Sequence, residues 1–212
     1  MNIGVLGGTF DPVHLGHLAI AEQARKQLKM AEVIFVPAGN PYFKNGILIS
    51  QPAQRVDMLK LALRDRPYFK ISLLEIERQG PSYAVDTIST LKGQIQKDDE
   101  LFFILGWDSF LTLPLWYQPK RLMGLCRFVA APRPGFSRPN TQTLEKELPG
   151  ISVRSVIMDK PLVEISSTQI RERVAGGLFI GDTVPPGVEE YIKAHKLYLS
   201  GKKLLKGENK DD

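Results

Sequence analysis

Along the chain, short runs rich in apolar and β-branched residues alternate with longer stretches in which apolar residues recur at helical spacing. The runs that predict strands are Asn2–Leu6, Glu32–Pro37, Phe69–Ile76, Leu101–Leu105, Arg127–Ala131 and Ser152–Met158. The stretches that predict helices are Leu15–Leu28, Ala53–Leu63, Ala84–Gln96, Ser167–Ala175 and Val188–His195. Because strands separated by helices are typical of βαβ units, we expect an α/β fold. It should be a doubly wound parallel sheet with helices on both faces and a small C-terminal helical part.

The composition is that of an ordinary globular domain. Of the 212 residues, 43% are hydrophobic and 24% are charged, which argues against a disordered or fibrous chain. We expect one domain over residues 1–198, with its C-terminal helical part beginning near residue 167. Residues 199–212 are expected to form a frayed, charged tail.

Charge and cysteine content bear on the partners and the compartment. The net charge is +5, but the basic residues are scattered and often lie beside acidic ones, so we expect no nucleic-acid partner. No run approaches the roughly 20 apolar residues that cross a bilayer, so we expect no membrane partner. The N-terminus lacks a basic leader, and the single cysteine, Cys126, lies in an apolar run. Both features favour the cytoplasm.

The most informative stretch joins the first predicted strand to the first predicted helix. It runs from Gly7 to His17 and reads GGTFDPVHLGH. Glycines allow positive φ and close backbone approach, and a helix N-terminus offers N–H groups to an anion. We expect His14 and His17 to share one helical face and donate hydrogen bonds to phosphate, with Gly16 leaving room for a base or sugar. The alternatives are a metal-binding pair and ordinary packing histidines.

A second stretch, ISSTQIR from Ile165 to Arg171, predicts a helix start. Ser166, Ser167 or Thr168 can cap that helix, and the simplest interpretation is a capped surface helix. A helix N-terminus with hydroxyl groups and an arginine is also suited to bind an anion. The two stretches together predict two helix N-termini that hold one triphosphate.

These stretches resemble a known family. The stretch from Gly7 to His17 resembles the signature of the H-x-G-H nucleotidyltransferases. Class I aminoacyl-tRNA synthetases carry a motif related to this signature. This stretch is most similar to that of the bacterial nicotinate-nucleotide adenylyltransferases. The stretch from Ile165 to Arg171 is similar to their I-S-S-T-x-I-R motif, whose arginine contacts the ATP phosphates. The resemblance implies a Rossmann-like fold and the joining of ATP and nicotinate mononucleotide. The products would be nicotinate adenine dinucleotide (deamido-NAD) and pyrophosphate, with Mg²⁺ carried mainly by the ATP phosphates.

The resemblance also assigns residues to each substrate. Those expected to bind ATP are Gly7, Gly8, Thr9, Phe10, His14, Gly16, His17, Gly106, Asp108, Ile165, Ser166, Ser167, Thr168 and Arg171. Those expected to bind nicotinate mononucleotide are Thr9, Lys44, Ser82, Tyr83, Ala84, Trp116 and Arg133. The expected catalytic residues are His14, His17 and Arg171, and no residue is expected to ligate a metal. Phe43 stands where the family usually has histidine, and Ala84 where threonine is common.

The expected reaction is a direct in-line attack of the mononucleotide phosphate on the α-phosphorus of ATP, without a covalent intermediate. A phosphate monoester is largely anionic at neutral pH, so no strong base is needed. The alternatives are a phosphopantetheine or nicotinamide-mononucleotide adenylyltransferase and a non-catalytic nucleotide-binding module. Assembly into a homo-oligomer is left open by the sequence.

Overall fold

A computed structural model of the chain describes residues 1–39 and 49–199. Within these residues, one six-stranded sheet has the order β3-β2-β1-β4-β5-β6, and every neighbouring pair is parallel. The strands are β1 Asn2–Gly8, β2 Met30–Pro37, β3 Phe69–Ile71, β4 Glu100–Gly106, β5 Arg127–Ala131 and β6 Ser155–Ile157. This order confirms the predicted Rossmann-like, doubly wound sheet. The strand order reverses between β1 and β4, and ligands bind at such a point in open α/β sheets.

The helices connect the strands and cover both faces of the sheet. Their bounds are α1 Leu15–Gln27, α2 Pro52–Leu63, α3 Leu74–Glu77, α4 Ala84–Gln94, α5 Trp107–Leu111, α6 Pro119–Leu125, α7 Thr141–Glu145, α8 Ile151–Arg154, α9 Ser167–Ala175 and α10 Pro186–Ala194. A short 3₁₀ turn spans Leu113–Leu115. The five longer helices predicted from periodicity all form, with ends that differ from the expected ones by at most two residues.

Two predicted strands are partly wrong. The strand expected over Phe69–Ile76 ends at Ile71, and the chain then forms α3 instead. The strand expected over Ser152–Met158 begins only at Ser155, because residues before it form α8. The Glu145 carboxylate accepts hydrogen bonds from Ser152 N–H at 2.9 Å and Ser152 O–H at 2.6 Å. This local side-chain contact holds the segment in a helical turn, away from the ladder of β5.

Alternating side chains of the central strands build a core on each face. In β4, Leu101 and Phe103 pack on one face and Phe102 and Ile104 on the other. Since successive strand residues point to opposite faces, a continuous apolar run indicates a strand that is covered on both sides. Helices α1, α2, α9 and α10 contribute to one core, and α4 and α6 contribute to the other. Because β1 and β4 pair in parallel, their carboxyl ends lie side by side at one edge of the sheet.

Candidate active site

The chain leaves β1 through a turn whose shape is set by Phe10. Gly7 and Gly8 pair with Val36 and Pro37 as part of the strand, and neither has a positive φ. The positive value, 50°, belongs to Phe10, whose ring is buried in the core. A Cβ on Gly8 would lie 3.0 Å from that ring. Gly8 is thus needed because it makes room for the aromatic side chain that anchors the turn.

His14 and His17 lie together at the start of α1. His14 is the N-cap residue in an extended conformation, so it precedes the helix rather than sharing a helical face with His17 as expected. The two rings nevertheless stack, with centroids 3.6 Å apart. The backbone N–H of His14 donates to Nδ1 of His17 at 3.2 Å. In its neutral form, His17 therefore carries its proton on Nε2.

His14 is buried and electrically neutral at physiological pH. Its side chain has a fractional exposure of 6%, and its Nδ1 has no hydrogen-bond partner among the described residues. Burial, and secondarily the positive charge of Arg133, lower the pKa of His14 to about 4. A buried polar atom without a partner is costly and normally indicates a ligand or water contact. His14 thus offers a neutral hydrogen-bonding group that the surrounding protein does not satisfy.

Gly16 supports His14 directly. A Cβ on Gly16 would lie 3.0 Å from Nδ1 and 3.1 Å from Cε1 of the His14 ring, closer than nearly all real Cβ contacts. The room expected at Gly16 for a base or sugar is therefore filled, at least in part, by the imidazole of His14. The absence of a side chain at Gly16 lets this ring lie flat on the first turn of α1.

The start of α9 is joined to the turn that precedes α1. The hydroxyl of Ser167 donates to the Pro12 carbonyl at 2.9 Å, and a guanidinium nitrogen of Arg171 donates to the Asp11 carbonyl at 2.8 Å. Arg171 also donates to Oγ1 of Thr168 at 3.2 Å. These contacts span 155 and 160 residues of sequence. These hydrogen bonds bring the two stretches together in the folded chain.

Ile165 and Ser166 immediately precede α9 and border a separate cavity. They line a cavity of about 420 Å³ together with Arg173 and Thr183, whereas Arg171 is not among its lining residues. Ser166 is the N-cap: its hydroxyl accepts from the backbone N–H of Gln169 at 3.2 Å. The Ser166 side chain thus serves the helix start, as one of the sequence alternatives predicted.

The end of β4 brings Gly106, Trp107 and Asp108 to the same sheet edge. Asp108 forms an ion pair with Arg133 at 3.0 Å. The positive charge of Arg133 also helps to lower the pKa of His14. A Cβ on Gly106 would lie 2.5 Å from Oδ1 of Asp108. That oxygen and Nε1 of Trp107 are buried and without hydrogen-bond partners among the described residues. This corner therefore presents an unsatisfied acceptor and donor, a pattern suited to ligand hydroxyl groups.

Two stacked tyrosines and a serine lie near the start of α4. Ser82 does not cap α4, because Tyr83 is the N-cap residue. Instead, the Ser82 hydroxyl accepts from the backbone N–H of Gly39 at 3.2 Å. The ring of Tyr83 stacks on Tyr117 at 4.4 Å. Ala84 begins the helix.

The side chain of Trp116 is neither fully buried nor fully exposed. It is half-buried, with its ring 6.1 Å edge-on from Phe103, and its Nε1 donates to Thr112 at 3.4 Å. Packing against the core thus covers only part of the indole. Lys44, the remaining residue expected to bind the mononucleotide, lies outside the described residues.

Sequence reasoning missed a buried polar group beneath the turn. Arg55 of α2 has a fractional exposure of 1% and donates to the Thr9 carbonyl at 2.8 Å. Asp11 is also buried and accepts hydrogen bonds from Ser50 and Tyr198. One signal was available in the sequence: Arg55 is four residues before the apolar Leu59 and so lies on the core-facing side of α2.

Several further features restrict the chemistry. Among residues 1–39 and 49–199, no three metal-ligating side chains form a cluster, and no helix is long and apolar enough to span a membrane. Cys126 is the C-cap residue of α6 and lies immediately before β5. Burial raises the pKa of its thiol to about 12, so it is a poor nucleophile.

The chain is similar to known proteins over most of its length. The cytidylyltransferase-like family model matches residues 5–173. The chain is 44% identical to a probable nicotinate-nucleotide adenylyltransferase of Dehalococcoides mccartyi, over 93% of this chain and 97% of that one. It is 42% identical to a probable nicotinate-nucleotide adenylyltransferase of Thermomicrobium roseum, over 96% of this chain and 94% of that one.

A solved structure shows the same fold. Plasmodium falciparum nicotinic acid mononucleotide adenylyltransferase complexed with NaAD superimposes with a TM-score of 0.74 at 21% identity. The match covers 93% of this chain and 97% of that one. The chain therefore belongs to the cytidylyltransferase-like family and, within it, to the nicotinate-nucleotide adenylyltransferases.

Proposed function

We propose that this protein transfers the adenylyl group of ATP to nicotinate mononucleotide, forming nicotinate adenine dinucleotide and pyrophosphate. One observation carries the proposal: α9 is hydrogen-bonded to the turn that bears His14, so two helix N-termini lie at one sheet edge. This is where open α/β sheets bind nucleotides. The names of the full-length relatives support the same two substrates.

The chemistry needs positioning and charge stabilisation rather than covalent catalysis. A phosphate oxygen of the mononucleotide bonds to the α-phosphorus of ATP while the bond from that phosphorus to the bridging oxygen of pyrophosphate breaks. Both substrates are anions, so donors around the α- and β-phosphates lower the barrier. We assign this role to His14, to Nε2–H of His17, to the Thr9–Phe10 backbone and to Arg171. The two contacts that orient Arg171 engage only part of a guanidinium with five N–H donors.

ATP is expected to bind as its Mg²⁺ complex, with the ion coordinated mainly by phosphate oxygens and water. The site fits this arrangement because its nearby carboxylates are already engaged: Asp11 by Ser50 and Tyr198, and Asp108 in part by Arg133. The unsatisfied atoms of Trp107 and Asp108 would meet the adenosine, whose ribose carries hydroxyl groups. No protein ligand for the ion is proposed.

The mononucleotide is proposed to lie between α4 and the 3₁₀ turn. The N–H groups at the start of α4, near Ser82, Tyr83 and Ala84, suit a carboxylate because a helix N-terminus carries partial positive charge. The partly covered indole of Trp116 would stack on the electron-poor pyridine ring. Lys44 would add a positive charge for the mononucleotide phosphate. We infer a cytoplasmic location, which the single, buried cysteine supports.

The direct test measures pyrophosphate release from MgATP with three acceptors in parallel: nicotinate mononucleotide, nicotinamide mononucleotide and phosphopantetheine. We expect nicotinate mononucleotide to give the highest kcat/KM. A higher value with either other acceptor would replace the proposal by that activity. Nucleotide binding without turnover for any acceptor would indicate a non-catalytic module.

Variants then test the assigned roles. His17→Ala should abolish turnover while the protein stays folded, and Arg171→Ala should lower kcat/KM for ATP about 10²-fold. Trp116→Ala should raise KM for nicotinate mononucleotide more than KM for ATP. Near-normal turnover in His17→Ala would contradict its role, and equal effects on both KM values would contradict stacking by Trp116.

A further inference from the structure

A buried polar group beneath the turn takes no part in the chemistry proposed above. We call it the Asp11 cluster: Asp11, Ser50, Arg55 and Tyr198. The Asp11 carboxylate accepts from the Tyr198 hydroxyl at 2.6 Å and from the Ser50 backbone N–H at 3.2 Å. Arg55 donates to the Ser50 carbonyl at 3.2 Å. Asp11 and Arg55 have fractional exposures of 2% and 1%. Because buried charged groups are costly unless paired and hydrogen-bonded, this cluster is a constrained arrangement rather than a solvated surface.

Asp11 connects this cluster to the triphosphate side of the site. Its carboxylate faces Tyr198 and Ser50, while its backbone carbonyl accepts from Arg171 at 2.8 Å. Two residues earlier, the Thr9 carbonyl accepts from Arg55 at 2.8 Å. Hydrogen bonds from the Asp11 cluster thus hold the turn at Thr9 and at Asp11. A rotation of Asp11 would move the carbonyl that orients Arg171.

Tyr198 is the distant member of the cluster, 187 residues from Asp11 in the sequence. Its φ is 62°, a left-handed conformation that a bulky residue keeps only when its contacts over-determine it. Burial, and then the nearby Asp11 charge, raise the pKa of Tyr198, so its hydroxyl stays a proton donor. A hydroxyl–carboxylate distance of 2.6 Å is typical of a strong, charge-assisted hydrogen bond.

We propose that Tyr198, acting through Asp11, is a positioning residue for ATP: its hydrogen bond fixes the turn from which Arg171 is oriented. Tyr198 does not touch the reacting atoms, and this assignment rests on the proposed function for the identity of the nucleotide. The segment after α10 is then part of the active-site architecture. Removal of one hydroxyl should weaken ATP use selectively.

The test is Tyr198→Phe, which keeps the ring and removes the hydroxyl. We expect kcat/KM for ATP to fall about tenfold, mainly through KM, while KM for nicotinate mononucleotide changes by less than about twofold. Tyr191→Phe is the matched control, because the Tyr191 hydroxyl contacts Asp57 of α2 at 3.4 Å rather than the turn. It should leave both KM values unchanged. Wild-type KM for ATP in Tyr198→Phe, or an equal rise in Tyr191→Phe, would overturn the proposal.

A double-mutant cycle separates positioning from a general loss of stability. If Tyr198 acts through the orientation of Arg171, Tyr198→Phe should have little further effect on kcat/KM for ATP in an Arg171→Ala background. Effects that multiply in full would contradict this route. Asp11→Asn keeps an oxygen that can accept from Tyr198, so it should retain more ATP affinity than Asp11→Ala. Equal losses in the two Asp11 variants would also count against the proposal.

Calorimetric titration with MgATP alone keeps this proposal distinct from the proposed activity. If the wild type makes no product with nicotinate mononucleotide, the proposed function fails, but ATP binding can still be compared between Tyr198→Phe and Tyr191→Phe. The comparison is made well below the melting temperature of each variant. Weaker MgATP binding in Tyr198→Phe alone supports the positioning role, and equal binding in both refutes it.

Discussion

At the scale of single residues, the site depends on polar groups held out of water. His14 is the clearest example, since burial keeps its imidazole neutral and leaves Nδ1 without a partner among the described residues. A neutral imidazole can approach phosphate as a hydrogen-bond donor, and its burial means that little water must be displaced. The same burial links the folding equilibrium to pH.

We expect His14 to make the ligand-free protein less stable as pH falls from 6.5 towards 4. The folded-state pKa of about 4 lies below the ordinary 6.5, so in this window the unfolded state binds more protons. The free energy of unfolding should therefore fall by about 2–3 kcal/mol between pH 7 and pH 4.5, compared with a His14→Gln variant. Urea denaturation at several pH values measures this difference.

The control for this prediction is His195→Gln, which replaces an exposed histidine at the end of α10. It should keep the pH dependence of the wild type. If His14→Gln and the wild type lose stability in parallel as the pH falls, His14 is not the linked group.

A second residue-scale prediction concerns Gly16. In Gly16→Ala, the new Cβ would lie 3.0 Å from Nδ1 of His14, so the ring must shift. We expect kcat to fall at least about tenfold while the fold is retained, because a displaced donor no longer meets the phosphate. Steady-state kinetics together with circular dichroism check this outcome.

Gly93→Ala offers a matched comparison inside α4, where an added Cβ meets nothing within 4 Å. It should raise stability by about 0.5–1 kcal/mol, as alanine does in helices, and leave kcat unchanged. A kcat for Gly16→Ala as high as that of Gly93→Ala would show that the contact with His14 is unimportant.

At the scale of secondary-structure elements, α9 has two separate tasks that adjacent serines divide. Ser166 caps the helix, whereas Ser167 ties its first turn to the Pro12 carbonyl. The first contact stabilises the helix itself, and the second fixes where the helix start lies relative to α1. Stability and ATP affinity should therefore respond differently to two neighbouring substitutions.

We expect Ser166→Ala to lower the free energy of unfolding by about 1 kcal/mol through the lost cap, with a small effect on KM for ATP. Ser167→Ala should raise KM for ATP several-fold, because α9 and Arg171 are then held less firmly against the turn. Thermal melts and ATP titrations of both variants provide the measurement. A larger rise in KM for Ser166→Ala than for Ser167→Ala would reverse this division of roles.

At the scale of the whole molecule, the two faces of the sheet share the same strands. Helix α10 packs on one face, while both tryptophans, Trp107 and Trp116, border the core on the other. Since β1 and β4 contribute side chains to both cores, loss of packing on one face should also lower the stability of the other face. The C-terminal helices then unfold together with the rest of the chain.

Ile192→Ala tests this coupling, because Ile192 of α10 has a fractional exposure of 1%. We expect a loss of about 2–5 kcal/mol and a single transition, in which tryptophan fluorescence and far-UV circular dichroism shift together. Val153→Ala, at a site with 77% exposure, should shift neither signal. A tryptophan transition that stays at the wild-type temperature in Ile192→Ala would indicate independently folding units.

By itself, the sequence determined the fold class, the longer helices and the strand ends that gather at the sheet edge. Apolar runs and helical spacing are local patterns, and the carboxyl ends of parallel strands meet whatever the details of packing. It failed at the short elements: residues of α3 were predicted as strand, and α8 depends on contacts, such as that of Glu145, which periodicity does not encode.

Only the tertiary structure decided how the site is built. The positive φ at Phe10, the His14 ring packed on Gly16 and the Asp11–Tyr198 hydrogen bond all depend on which surfaces meet after folding. The neutral state of His14 follows from its burial rather than from its place in a motif. The sequence names the chemical groups, but burial and long-range contacts set their charge, direction and partners.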